Sequence, residues 1–346
     1  MKYQFCIRFK DIDVNSAASK AVLDCNRIFS ECGYQDYTLT VNDNSGKLKY
    51  YLFLLRQLSV FFFSIKRKSI VSIQYPLLSI NAVFKYFIKA TRLKRVRFFC
   101  IVHDLESLRS GGTDDKLIAE EVRNLNCYDT LIVHNEHMIN WLTVHGVTVK
   151  MISLKLFDYL SADFISNGRA DAAGSIVFAG NLAKSRFIYS LPQVKNKQFD
   201  LYGPGFLPDG SQVNKNLAWK GLYGPEQIQK ELMGSFGLIW DGTHIDRCDE
   251  ILGNYLLYNN PHKCSLYIAA GLPVIAPKSS AIGSFIKRED IGVLVDSLHE
   301  LESLTIDDDR YHTMKRNVLR IRSKVITGGF FSDALKSIEN DYALPG

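Results

Sequence analysis

The sequence predicts an α/β protein made of two doubly wound, parallel-sheet domains, and three observations predict it. Short apolar runs alternate with helical stretches through both halves of the chain, as they do when each strand is buried on both faces. The alternation breaks once, between residues 156 and 173, where the chain turns polar and loses its period. The 346 residues also exceed what a single core usually organises.

In the first half, QFCIRF (4–9), 37–41, 70–75, VRFFCIVHD (96–104), 130–133 and 147–153 read as strands. Residues 17–32, 48–65, 78–92, 116–125 and 136–145 read as the helices between them. In the second half, SIVFAG, FDLYG, GLIWDG, LPVIAP and GVLV read as strands. A long basic helix over 308–326 follows, Gly328 and Gly329 break it, and 330–341 forms the last helix. The expected organisation is a first domain over 1–155, a linker over 156–173, a second domain over 174–326 and a terminal helix over 327–346 that returns to the first domain. The two domains are expected to face a cleft, with ligands beyond the carboxyl ends of the strands.

Composition narrows the function classes. A hydrophobic content of 47% with 23% charged residues is that of a folded soluble chain. The seven cysteines show no CxxC pair and read as free thiols of a reducing compartment. The start, MKYQFCIRFKD, lacks the apolar core of a signal peptide, so a cytoplasmic protein is expected. The net charge of +6 comes without the basic and aromatic interleaving of nucleic-acid readers, so no nucleic acid is expected. The most apolar tract, Tyr50 to Ile65, is shorter than the ~20 residues that span a bilayer. With the basic runs after it, three readings stay open: a core helix, a face resting on the inner surface of an anionic membrane, or a contact with a second subunit of a homo-oligomer.

The residues just after each strand are the candidate site. His103 and Asp104 follow the most apolar strand of the first domain, where the carboxylate is placed either as a general base or as a turn cap. In the second domain, FAGNLAKS sets Gly180, Asn181, Lys184 and Ser185 after a strand, as a diphosphate-approaching turn would. Tyr202, ending FDLYG, reads as a stacking wall for a base or as a core aromatic. The stretch NNPHKCSLYIAAGLPVIA (259–276) feeds Asn260, His262 and Lys263 into the start of an apolar helix, read as 264–270, and a helix N-terminus favours anions. Neither Asp11-Ile12-Asp13 nor His134 and His137 makes a convincing metal set. The group Asp241, His244, Asp246, Asp249 and Glu250 reads as a solvated loop, so no metal is expected. A nicotinamide cofactor is disfavoured because no strand is followed by GxGxxG.

Taken together, SAASKA (16–21), VHDLESLR (102–109), YDTLIVHNEHMINWL (128–142), LFDYL (156–160), FAGNLAKS (178–185), LYGPG (201–205), FGLIWDG (236–242) and YNNPHKCSLYIAAGLPVI (258–275) carry a resemblance over nearly the whole chain. The sequence resembles the GT-B nucleotide-sugar glycosyltransferases, in the bacterial branch of β-1,6-galactofuranosyltransferases and the glucosyltransferase that extends GlcNAc on adhesins. The resemblance implies a hexosyltransferase with a UDP-sugar donor held by the second domain without a metal or other cofactor, and a glycan, lipid-linked or protein-linked acceptor. It assigns Lys184 and Ser185, with Gly180 and Asn181, to the donor loop. Tyr202 falls on the uracil side, Asn260, His262 and Lys263 on the diphosphate, and Ser16 and Lys20 approach the phosphates from the first domain. Many retaining relatives carry two Glu residues eight apart ahead of the A-x-G-x-P-V turn, where this chain has Tyr258 and Leu266. An inverting displacement is therefore expected, with Asp104 as base and Asp241 and Glu106 as the other acidic candidates. The alternative is a non-catalytic GT-B partner of another transferase.

Overall fold

The computed structural model describes residues 1–9, 17–41, 47–77, 80–162, 171–207 and 215–343. Ser16, the aspartates at 11 and 13 and residues 163–170 of the expected linker lie outside the described residues. The chain forms two compact units. One comprises Met1–Leu108, Gly112–Leu154 and Phe331–Gly346, and the other Arg109–Gly111 with Lys155–Phe330.

The first unit runs β1 (Lys2–Phe9), α1 (Ala17–Glu31), β2 (Gln35–Val41), α2 (Lys47–Ser64), β3 (Ile70–Tyr75), α3 (Asn81–Thr91), β4 (Arg97–Val102), α4 (Glu106–Arg109), α5 (Asp115–Leu125), β5 (Thr130–Val133), α6 (Glu136–Val144) and β6 (Lys150–Ser153). Its six strands pair in parallel in the order β2-β1-β3-β4-β5-β6. Successive side chains of a strand point to opposite faces, and β4 shows it with two phenylalanines. Phe98 packs on Phe84 and Phe87 of α3, whereas Phe99 packs on Phe29 of α1 and on Tyr34. Helices α2 and α3 thus cover one face of the sheet, and α1 covers the other.

The second unit runs β7 (Ile176–Ala179), β8 (Phe199–Tyr202), β9 (Leu217–Gly221), α7 (Ile228–Glu231), β10 (Phe236–Leu238), α8 (Glu250–Tyr255), α9 (His262–Ala269), β11 (Val274–Pro277), α10 (Gly283–Glu289), β12 (Gly292–Val295) and α11 (Asp308–Ile326), and α12 (Gly329–Ala343) ends the chain. The strand order is β12-β11-β10-β7-β8-β9, again all parallel. Sequence patterning missed β9. It is one of the sheet's two edge strands, half exposed along its length, and carries no continuous apolar run.

The strand order locates the ligand crevice of the second unit. The chain winds from β7 out to β9 and then returns to start β10 on the other side of β7. That reversal splays the loops after β7 and β10 apart, and the carboxyl ends of these two strands form the crevice. No helix of the described residues is long and apolar enough to cross a membrane.

Candidate active site

Helix α9 is the element that loads this crevice. It begins at His262, two residues earlier than the sequence reading, with Pro261 at the N-cap in an extended conformation. Lys263 therefore lies in the first turn, beside the amides that have no intrahelical acceptor. Its Nζ lies 3.0 and 3.1 Å from the two carboxylate oxygens of Asp241 and 3.1 Å from the carbonyl of Trp240. It also sits 4.7 Å from the centre of the Phe178 ring. Phe178 belongs to β7 and Asp241 follows β10, so one half-buried ammonium joins both strands of the switch point.

Three features bring α9 this close. Tyr267 threads under the sheet end, its hydroxyl donating to Leu238 O at 3.0 Å and accepting from Ala179 N at 2.9 Å. Gly237 leaves room for its ring, since a Cβ there would lie 2.2 Å from Tyr267 Cγ. At the far end, the buried Arg322 of α11 donates to Ala269 O at 2.7 Å, a cation at the negative end of the helix dipole.

The segment read as the start of a linker also serves this helix. Leu156, Phe157, Asp158, Tyr159 and Leu160 are buried in the second unit. Asn260 donates to Lys155 O at 2.8 Å and Ser265 to Phe157 O at 2.6 Å. The His262 ring lies 5.3 Å from that of Tyr159 and 6.2 Å from that of Phe157. Asn260 is 3% exposed, so its side chain fastens this segment instead of reaching an open phosphate site. His262, half-buried, belongs to the same packing.

The loop after β7 has the expected compact form. Asn181 O accepts from the amides of Lys184 and Ser185 and from Ser185 Oγ. Asn181 and Lys184 are exposed, Gly180 is half-buried and Ser185 is buried. The glycine that the turn cannot lose is Gly203 in the neighbouring loop. At φ +134° it passes so close that a Cβ would lie 1.9 Å from Gly180 O.

Two assignments are corrected. Tyr202 is 2% exposed and donates to Glu231 O at 2.9 Å, so it is a core aromatic with no face open to a base. Lys20 is 3% exposed and pairs with Asp24, one helical turn on, at 2.6 Å, so its charge is already met inside α1.

In the first unit, His103 and Asp104 sit between β4 and α4, both half-buried. Gln74 on β3 gives its amide nitrogen to Asn26 Oδ1 at 2.7 Å. Its oxygen therefore faces His103 Nε2 at 2.7 Å and fixes that nitrogen as the protonated one. His134 Nε2 donates to His103 O at 2.9 Å. The loop is then pinned from α5 by Glu121, which is 3% exposed. Glu121 accepts from Glu106 N at 2.9 Å, from Ser107 N at 3.1 Å, from Tyr75 Oη at 3.0 Å and from Ser107 Oγ. Burial, and next the Glu121 charge, push the Tyr75 hydroxyl far above its ordinary range, so it acts as a donor only.

Glu121 was missed from sequence although a signal existed. It occupies the inward stripe of α5 with Ile118, Val122 and Leu125, and a carboxylate on an apolar stripe must find donors. Among the described residues, His244, Asp249 and Glu250 could converge on an ion, with ligand atoms within 4.8 Å of one another. Their groups are met by the protein, His244 and Arg247 on Asp249 at 3.0 and 2.6 Å and Thr243 on Glu250 at 2.7 Å. The hydrogen bond from His244 leads the effects that lower the Asp249 pKa. All seven cysteines are free, and burial pushes the Cys248 and Cys264 thiols up to about 12.

Two all-parallel domains of six strands, the second with a lysine-loaded helix N-terminus at its switch point, have the architecture of GT-B glycosyltransferases. The fold matches the pneumococcal O-GlcNAc transferase GtfA, solved with UDP and GlcNAc, at a TM-score of 0.55 and 17% identity, covering 83% of this chain and 59% of that one. In sequence, the chain is similar to the β-1,6-galactofuranosyltransferase WbbI of Escherichia coli K12, at 32% identity over 82% of this chain and 83% of the relative. It is also 26% identical to glucosyltransferase 3 of Streptococcus gordonii, over 88% and 86% of the two chains. The N-terminal and C-terminal domain profiles of the glucosyltransferase 3-like family match residues 5–156 and 176–338. The chain belongs to that family and is a glycosyltransferase.

Proposed function

We propose that this transferase moves a hexose, galactofuranose or glucose, from a UDP-sugar to a hydroxyl of a glycan, glycolipid or glycoprotein acceptor in surface polysaccharide or adhesin glycan synthesis. The carrying observation is Lys263 in the first turn of α9, at the switch point of the second sheet. A diphosphate placed there meets the ammonium, the first-turn amides and the positive end of the helix dipole. These charges stabilise departing UDP without a metal ion, because they are already oriented before negative charge develops on the leaving oxygen. Asp241 shares the ammonium in the resting enzyme, and an arriving diphosphate competes with it. The names of the relatives support sugar transfer, and the UDP solved in GtfA supports the donor class.

The transfer proceeds with inversion. The acceptor oxygen attacks the anomeric carbon, the bond from that carbon to the UDP oxygen breaks, and Asp104 takes the hydroxyl proton. Tyr258 and Leu266, where many retaining enzymes have glutamates, favour this course. Mass spectrometry of products from a panel of UDP-sugars and acceptors tests the donor. Lys263→Ala is expected to weaken UDP binding by ~1–3 kcal/mol, a factor of roughly 5 to 150 in Kd. Titration calorimetry reads this directly, and unchanged affinity would remove the lysine from the diphosphate site.

A further inference from the structure

Helix α2 carries large apolar residues on its outer as well as its inner side, a pattern normally found in a buried helix. Only one stripe is covered: Leu54, Leu58 and Phe61 pack inward, with Ile65 just beyond the helix. On its outer side Leu48, Leu52 and Phe63 are 75%, 59% and 79% exposed. The apolar surface continues onto α3 and its C-terminal turn, where Tyr86 is 65% and Leu93 78% exposed. These elements form one face. The Phe61 and Phe87 rings are 5.9 Å apart, and Lys94 donates to Ile65 O at 3.1 Å.

The charge of this region is one-signed. Residues 44–103 hold twelve of the 42 Lys and Arg and none of the 36 Asp and Glu, so this stretch carries +12 and the rest of the chain −6. Lys49 and Arg56 on α2, Lys66, Arg67 and Lys68 after it, and Lys89 on α3 are exposed. A second copy of the chain would set this face against itself, cation against cation, because a two-fold contact pairs the same patch on both subunits. A bilayer with anionic headgroups meets both properties at once: phosphates for the cations and an acyl boundary for Leu and Phe.

We propose that α2, α3 and the Lys66–Lys68 turn form a docking surface for an anionic lipid bilayer, with α2 lying in the plane of the interface. The surface belongs to the first unit and the proposed donor site to the second, and vesicle binding needs no UDP-sugar, so failure of one reading leaves the other standing. The purified full chain should co-sediment with vesicles of equimolar phosphatidylglycerol and phosphatidylcholine, not with phosphatidylcholine alone, and should release as salt rises. Lys66→Glu/Arg67→Glu/Lys68→Glu is expected to weaken partitioning at least about 30-fold, and Leu52→Ser/Phe63→Ser about tenfold. Both variants change exposed side chains and should retain wild-type circular dichroism and wild-type turnover of a soluble acceptor. Equal binding to neutral vesicles, no binding to anionic ones, or wild-type binding by the charge-reversed variant would overturn the proposal. So would a dimer seen by light scattering that Leu52→Ser/Phe63→Ser abolishes while vesicle binding is absent.

Discussion

Glu121 shows how a single buried residue fixes the loop that carries the proposed base. Its carboxylate gathers the first amides of α4, a serine hydroxyl and the Tyr75 hydroxyl, and so sets the stretch that begins with His103 and Asp104. Glu121→Ala leaves these buried donors without an acceptor, and urea unfolding should show a loss of about 3 kcal/mol or more. Glu121→Gln keeps the shape and part of the bonding, so its loss should be the smaller of the two. Asp104 is tested separately. Asp104→Asn keeps the side chain's size and removes the proposed base, so UDP affinity should persist while kcat falls at least ~100-fold, the usual contribution of a positioned base. Wild-type kcat in Asp104→Asn would transfer the role to another acid.

At the level of elements, the crevice of the second sheet depends on how closely α9 approaches the ends of β7 and β10. That distance is set by a glycine, because the Tyr267 ring occupies the space where residue 237 would carry a Cβ. Gly237→Ala should therefore destabilise the protein by about 1–3 kcal/mol, as overpacking of a well-filled core does. Gly224, with nothing within 4 Å of a built Cβ, supplies the control, and Gly224→Ala should melt within experimental error of the wild type. Equal melting temperatures for both variants would mean that α9 shifts outward at no cost. The segment 155–160 belongs to the same device, since it holds the N-terminal turn of α9 from outside through Asn260, Ser265 and His262.

At the level of the whole molecule, opposite charges tie the end of α10 to the start of α11. Arg310 grips Asp290 with both guanidinium nitrogens, one bond measuring 2.7 Å, and this hydrogen bonding leads the effects that hold the Asp290 pKa below its ordinary value. A carboxylate depressed in the folded state stabilises the protein above its unfolded pKa of about 4 and stops doing so as pH falls through the folded value. Thermal melts should thus show part of the acid-induced loss below pH ~4 disappearing in Arg310→Ala. Both side chains are about two-fifths exposed, so the effect is small and should shrink further in high salt. An Arg310→Ala profile parallel to the wild type at every pH would mean that the pair contributes nothing.

Much was legible in the sequence. Central strands buried on both faces carry continuous apolar runs, as β4 and β7 do, whereas the edge strand β9 is half exposed and carries none, so among the described strands it alone went unread. Lys263 and Asp241 stood out as candidates, since a proline-started helix and a strand end each carry a local signal. Their direct pairing was not readable, because it depends on the reversal of strand order that sets β10 beside β7. The same limit misplaced Tyr202 and Lys20. A tyrosine at a strand end and a lysine on an amphipathic helix look identical in sequence whether they face a ligand or the interior. Local periodicity was enough for the fold class, for most of the elements and for a proline-started helix near 262. Which side chains meet there follows from the folded chain, because burial and partner choice are set by residues distant in the sequence.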